Sequence, residues 1–305
     1  MAYKSVTLII SPYHVGLKNI RVGQGPQTLL DAGLVKVIKN ALPVGIDVHV
    51  KEIESVVSVP TKVEGDIGRS FAVLRNISSA VHQAAKEKSW PLVLGGNCMG
   101  VVGVYAGLNS QTVDDGHGSR ASREVIWFDA HADLETSETT VSGYLDGMGG
   151  SMLMGEGFGT LLRDIPGYGV IDGRQLLSVG FRDLSEFERK KIKERKIRTV
   201  WGEKPLDCGQ YAQDLRKRLA EETDLTGAIL HLDVDVLDTS VGQANEFAVP
   251  GGLGVKDLVE CVELIGDLKK VEAMHLASLN PDCNEWQNVA KAAIQAIECM
   301  VKKIF

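Results

Sequence analysis

At 305 residues, with 44% hydrophobic and 24% charged side chains, the chain has the composition of a soluble globular protein and ample length for a full core. Its net charge of −7 argues against a broad electrostatic footprint for nucleic acid or an anionic membrane. No apolar run approaches the length of about eighteen residues that a transmembrane helix needs, and the run from Val6 to Ile10 is too short for a secretory signal. Cys98, Cys208, Cys261, Cys283 and Cys299 are scattered without CxxC spacing, which predicts reduced thiols in a cytoplasmic protein.

In chain order, short apolar runs predict strands at 5–11, 45–52, 91–95, 123–129, 175–181, 197–201, 227–233 and 271–277. Longer amphipathic stretches predict helices at 26–40, 67–88, 98–108, 184–195, 208–222, 254–268 and 284–303. In 67–88, for instance, Phe71, Leu74, Ile77, Val81 and Ala84 recur on one helical face. This alternation predicts an α/β fold with a mainly parallel sheet covered on both sides. Polar residues 109–122 read as a surface excursion. Residues 134–159 read as a glycine-rich loop ending Gly155-Glu-Gly157-Phe-Gly159, where the glycines suggest flexibility and the phosphate-cradle context of strand and helix is missing. With no Pro/Gly/Ser linker and no repeat, residues 1–305 are expected to form one domain.

Two strand ends carry the chemistry. Val125-Ile-Trp-Phe runs into Asp129-Ala-His131-Ala-Asp133, and Ile229-Leu-His-Leu runs into Asp233-Val-Asp235. Alternate residues of an extended strand share a face, so Asp129, His131 and Asp133 converge from one strand end, and Asp233 with Asp235 from another. Four carboxylates and an imidazole repel or desolvate one another unless cations neutralise them, which suits one or two divalent metals. An aspartate capping each strand-to-loop junction is the plainer alternative, but the repetition of the device favours metal.

These segments resemble the arginase–agmatinase (ureohydrolase) family along nearly the whole chain. Val22-Gly23-Gln-Gly25-Pro26 and the following Ala32-Gly33-Leu34 are similar to its GP…AGL segment, and Gly95-Gly96-Asn97-Cys98 to its GGDH. Asp129-Ala-His131-Ala-Asp133 matches DAHxD, Asp233-Val-Asp235-Val-Leu-Asp238 matches DxDxxD, and Gly251-Gly252-Leu253 and Asn280-Pro281 match later landmarks. The resemblance implies a three-layer α/β/α fold, a binuclear manganese site, hydrolysis of a guanidine-type C–N bond by a metal-bridging hydroxide, and a homo-oligomer, a trimer or a hexamer.

The departures bear on metal and substrate. Cys98 replaces the family's metal-binding histidine and Asn97 the aspartate before it. A thiolate is a softer ligand, so preference moves from manganese toward zinc or iron. The implied metal ligands are Cys98, Asp129, His131, Asp133, Asp233 and Asp235. Asp146 aligns with the family's proton-shuttle histidine, and Asp133 or Asp146 is expected to assist proton transfer. In the implied substrate pocket, Ser278 aligns with the glutamate that grips guanidinium, Phe247 with a threonine, Glu135 with an asparagine that binds the α-carboxylate, and Ser185 with an aspartate that binds the α-amino group; Ser142 is kept. Glu135 facing a carboxylate is a like-charge clash, which argues against L-arginine.

Three functions follow: hydrolysis of another guanidino or amidine compound, hydrolysis of a non-guanidino amide at the same centre, or a catalytically impaired regulatory homologue. The first is preferred, because five of six ligand types are kept. His14 and the Arg182–Asp183 pair read as structural, and His231 as orienting a ligand more than binding metal. His275 sits on the last strand, where the arginase subgroup tends to have Asp.

Overall fold

The computed structural model describes residues 3–56, 65–114, 123–221, 226–268 and 270–305. Eight strands form one sheet: β1 (Ser5–Ser11), β2 (Asp47–Glu52), β3 (Ser89–Gly95), β4 (Arg123–Phe128), β5 (Leu176–Val179), β6 (Arg198–Val200), β7 (Gly227–Asp233) and β8 (Val271–Ala277). Their spatial order is β2-β1-β3-β8-β7-β4-β5-β6, and every pairing is parallel. β1, β3, β4 and β7 are buried along their whole length, which is why they read as continuous apolar runs and not as alternating ones. β2 is the exposed edge, with only Val48 half-buried.

Helices cover both faces. Leu8, Leu92, Leu230 and Leu276 face a layer containing α1 (Gly25–Asp31), α2 (Leu34–Ala41), α7 (Val255–Asp267) and α8 (Trp286–Ile304). Ile9, Val93, Val125 and Trp127 face the layer of α3 (Gly65–Lys86) and α4 (Gly100–Asp114). The result is the three-layer α/β/α arrangement. Among the described residues, no helix is long and apolar enough to cross a membrane.

Three expectations need correction. The helix predicted at 26–40 is two helices, because the chain turns at Gly33, whose φ of 90° is a left-handed conformation that glycine adopts at low cost. The polar stretch from 109 is not wholly loop, since α4 continues to Asp114; residues 115–122 lie outside the described part. The segment 134–159 is not simply flexible. It contains a buried 3-10 turn (Leu145–Met148) and α5 (Gly149–Leu153), and a side chain at Gly149 would sit 3.1 Å from the Trp127 ring and from the Met99 backbone. Gly149 and Gly150 serve close packing.

Candidate functional site

In a parallel sheet all carboxyl ends lie on one edge, and ligands bind outside that edge. Here Cys98 follows β3, Asp129 to Asp133 follow β4, Asp233 ends β7, Asp235 stands in the next turn, and Ser278 follows β8. Cys98, Asp129, His131, Asp133, Asp146, Asp233, Asp235, Glu135, Phe247 and Ser278 line one cavity of about 170 Å³. Sixteen residues line it, so six are additional: Val22, Tyr144, Gly147, Asp183, Glu188 and Asn245.

Hydrogen bonds aim the carboxylates of Asp129, Asp233 and Asp235. Asp129 accepts from Trp127 Nε1 at 2.9 Å and from the His131 amide at 2.7 Å. Asp233 accepts from the Asp235 amide at 2.7 Å and from Cys98 Sγ at 2.7 Å. Asp235 accepts from the Ala130 amide at 3.2 Å and from Asn245 Nδ2 at 3.1 Å. His131 Nδ1 lies 3.4 Å from Asp129 and 3.3 Å from Asp235. Asp133 reaches the cavity from a backbone at φ 51°, a conformation disfavoured for a side chain with Cβ and common at functional positions.

Electrostatics show an excess of buried anion. Burial, then the Asp235 charge, pushes Asp129 up to about 7 against the pull of His131. Burial also raises Asp133 and Asp233, each with a neighbouring aspartate adding to it, and it raises the Cys98 thiol. Asp235 is displaced the other way: burial is outweighed by His131, Asn245 and the Ala130 amide. Burial opposes a proton on His131, but Asp235 and Asp129 overcome it and push the imidazole up to about 12. A site that takes protons to relieve its own charge takes divalent cations for the same reason. Two groups have ligand atoms within 4.8 Å of one another: Asp129, His131 and Asp235, and Cys98, Asp129 and His231. This oxygen, nitrogen and sulfur set fits two metal ions that share Asp129.

Asp146 is buried, accepting from Asn97 Nδ2 at 2.6 Å and the Met99 amide at 2.9 Å, and burial pushes it up to about 6. The rings of Tyr144 and Phe247, both lining the cavity, meet at a tilt of 34° with centroids 5.5 Å apart. Two expected contacts lie elsewhere. Ser185 is not among the lining residues; it caps α6 (Glu186–Glu194), accepting from the Glu188 amide and donating to Glu188 Oε2 at 2.9 Å. Ser142 is exposed and accepts from the Tyr144 amide at 3.1 Å within a turn. In the place expected of Ser185, the carboxylates of Glu188 and Asp183 border the cavity.

The Arg182–Asp183 ion pair is absent among the described residues. Arg182 donates to six backbone carbonyls, those of Gly180, Asp235, Val236, Leu237, Val249 and Pro250, while Asp183 faces His131 Nε2 at 3.7 Å. The guanidinium fixes the turn that carries Asp235. Arg182→Lys, with three donors and no planar fork, is expected to lose about 2–4 kcal/mol of stability; an unchanged urea midpoint would show the clamp to be redundant. No motif announces this role, and Asn245 likewise carries no pattern, being one polar residue in an irregular stretch.

Third-aspartate and glycine landmarks gain a reason. Asp238 accepts from the amides of Gly251 at 2.7 Å and Gly252 at 3.2 Å, and a Cβ on Gly252 would lie 2.4 Å from the Val236 carbonyl. They lock the loop behind the site and do not line the cavity.

Comparison with known proteins agrees with this architecture. The model of the Arginase family matches residues 5–302. An arginase of Bacillus subtilis (strain 168) is 26% identical, with 98% of each chain covered. The crystal structure of arginase from Bacillus subtilis superposes with a TM-score of 0.81 at 24% identity over 98% of each chain. Formimidoylglutamase from Bacillus subtilis subsp. subtilis str. 168 gives a TM-score of 0.69 at 18% identity, covering 100% of this chain and 88% of that one. With the motifs in order, the sheet and the carboxylate edge in place, and a family match spanning almost every residue, the chain belongs to the arginase family.

Proposed function

We propose that the protein is a metal-dependent hydrolase of a C–N bond in a small guanidino or amidine compound other than L-arginine. The observation that carries the reading is the cluster of buried Asp129, Asp233 and Asp235 with the half-buried His131 at one sheet edge, an arrangement whose charge calls for two divalent ions. Asp129, His131, Asp133, Asp233 and Asp235, with Cys98, would hold them. When bound, such ions supply a Lewis acid and lower the pKa of water toward about 7. The chain's own groups do the rest: His131 and Asn245 keep Asp235 ionised, Asn97 holds Asp146 in place, and Asp133 or Asp146 carries a proton at a carboxylate oxygen.

Charge at the mouth supports the exclusion of arginine. Eight carboxyl side chains line the cavity and, among the described residues, no lysine or arginine does. Glu135, Asp183 and Glu188 repel an α-carboxylate and favour an amine or uncharged end. A cavity of about 170 Å³ accommodates a small head group. Ser278 lines the cavity from a backbone at φ 73°, and the resemblance aligns its hydroxyl with the family's guanidinium-gripping carboxylate.

The test is urea release from a guanidino panel by protein loaded with manganese or zinc. L-Arginine is expected to give no measurable urea, and its decarboxylated relative at least as much. Ser278→Glu is expected to tighten guanidinium ligands by about 1–2 kcal/mol through a charge-assisted pair. Efficient arginine turnover by the unaltered protein would end the substrate reading. Ammonia release from amides without urea release would replace the guanidino class by a non-guanidino amide, a reading that the apolar Phe247 and neutral Ser278 favour. No release from either panel would indicate the regulatory homologue.

A further inference from the structure

The parallel register sets three rings in a row one layer below the carboxylates. His231 on β7 is flanked by Trp127 on β4 and His275 on β8, its register partners. The two imidazoles stack with centroids 5.0 Å apart, and Trp127 meets His231 edge-on at 4.3 Å. His231 Nδ1 lies 2.9 Å from His275 Nδ1, while His231 Nε2 is buried and has no hydrogen-bond partner. One ring nitrogen of His231, Cys98 Sγ and an Asp129 carboxylate oxygen lie within 4.8 Å of one another.

We propose that His231 is itself a metal ligand, completing with Cys98 and Asp129 an inner thiolate–imidazole–carboxylate pocket that selects zinc, beneath a harder outer pocket of His131, Asp129 and Asp235. The proposal rests on the metal-dependent reading above. Four observations converge on it. With Nδ1 committed to His275, Nε2 is the nitrogen left for a metal, and a ligating histidine characteristically gives its other nitrogen to such an orienting partner. His275 occupies space that exists only because residues 95 and 100 are glycines, whose added Cβ would lie 2.6 Å and 2.7 Å from its Nε2. Both rings are fully buried, so no solvent water at the surface meets the unpartnered His231 Nε2. A tetrahedral zinc holds such ligand atoms roughly 3.3–3.8 Å apart, so a small inward shift closes the set. Thiolate and imidazole together are softer than the oxygen-rich outer group and prefer zinc to manganese.

X-ray absorption on protein carrying one equivalent of zinc tests the idea without relying on turnover. The spectrum is expected to show one sulfur at about 2.3 Å together with imidazole scattering. His131→Asn removes the outer imidazole from a partly exposed position, and the imidazole signal on zinc is expected to persist. His231→Asn is expected to abolish that signal and weaken zinc at least tenfold while sulfur remains. Sulfur without imidazole in His131→Asn would overturn the assignment and leave the metal-dependent reading intact. Failure of the unaltered protein to retain zinc or manganese would overturn both. Should His231→Asn not fold, the His131→Asn spectrum still decides.

Discussion

Replacing Asp129 by asparagine is expected to reduce bound metal from two equivalents toward none and to lower hydrolysis at least a thousandfold. Asp129 belongs to both tight ligand groups, so its loss strikes both ions at once, whereas loss of His131 strikes one. The same change is expected to stabilise the cation-free protein. Asp129 is 1% exposed among like charges, and a neutral amide of equal shape relieves that repulsion while its one oxygen keeps the His131 amide and gives up Trp127 Nε1. Stability and function are therefore expected to move in opposite directions at this residue. Metal analysis and thermal unfolding of matched samples check both halves. Two metals retained by the asparagine variant would remove Asp129 from the centre of the site.

Cation-free protein is expected to lose stability as the pH rises from 5 to 8, by about 5–10 °C in Tm for a loss of a few kcal/mol. Asp129 and Asp146 titrate at about 7 and about 6 in the fold, and Asp133 and Asp233 are raised as well, while an unfolded aspartate titrates near 3.8. Between those values the folded state binds more protons than the unfolded one, so stability falls with rising pH. His131 acts in the same direction, since an imidazole raised to about 12 loses its contribution as the pH climbs from its ordinary value of 6.5. Asp235, held low, loses its contribution only as pH falls below the ordinary aspartate range, outside this interval. Metal competes with those protons, so saturating zinc or manganese is expected to reverse the slope. A cation-free Tm that rises across the interval would show that the carboxylates are not sharing buried charge.

All eight strands were legible to within two residues at each end, because strands buried on both faces are written as unbroken apolar runs. The strand-end aspartates were legible for a related reason, since period-two spacing places Asp233 and Asp235 on one edge. What escaped was encoded without period. The break at Gly33 depends on one dihedral, and α4 runs through Asn109, Ser110 and Gln111 because tertiary packing overrides weak local preference. Ser185 carried a helix-capping pattern with Glu188 three residues on, a local rule that competes with any role in the cavity. The assignment of Arg182 to an ion pair failed because its partners are carbonyls, and main-chain acceptors leave no mark in sequence. His231 carries the spacing but not the depth: only the register with His275 shows which nitrogen is free.

The order of strands in the sheet carries a consequence for how the molecule comes into being. β3, at 89–95, pairs with β8, at 271–277, and the site draws on residues from 22 to 278. A growing chain therefore cannot assemble the cavity until most of its length has been synthesised, and closing so wide a loop is intrinsically slow. Until that closure the carboxylates are spread over separate, hydrated segments, where their charges cost little. Metal ions held as proposed would then be captured only once folding is complete, and binding would add its free energy to that closure.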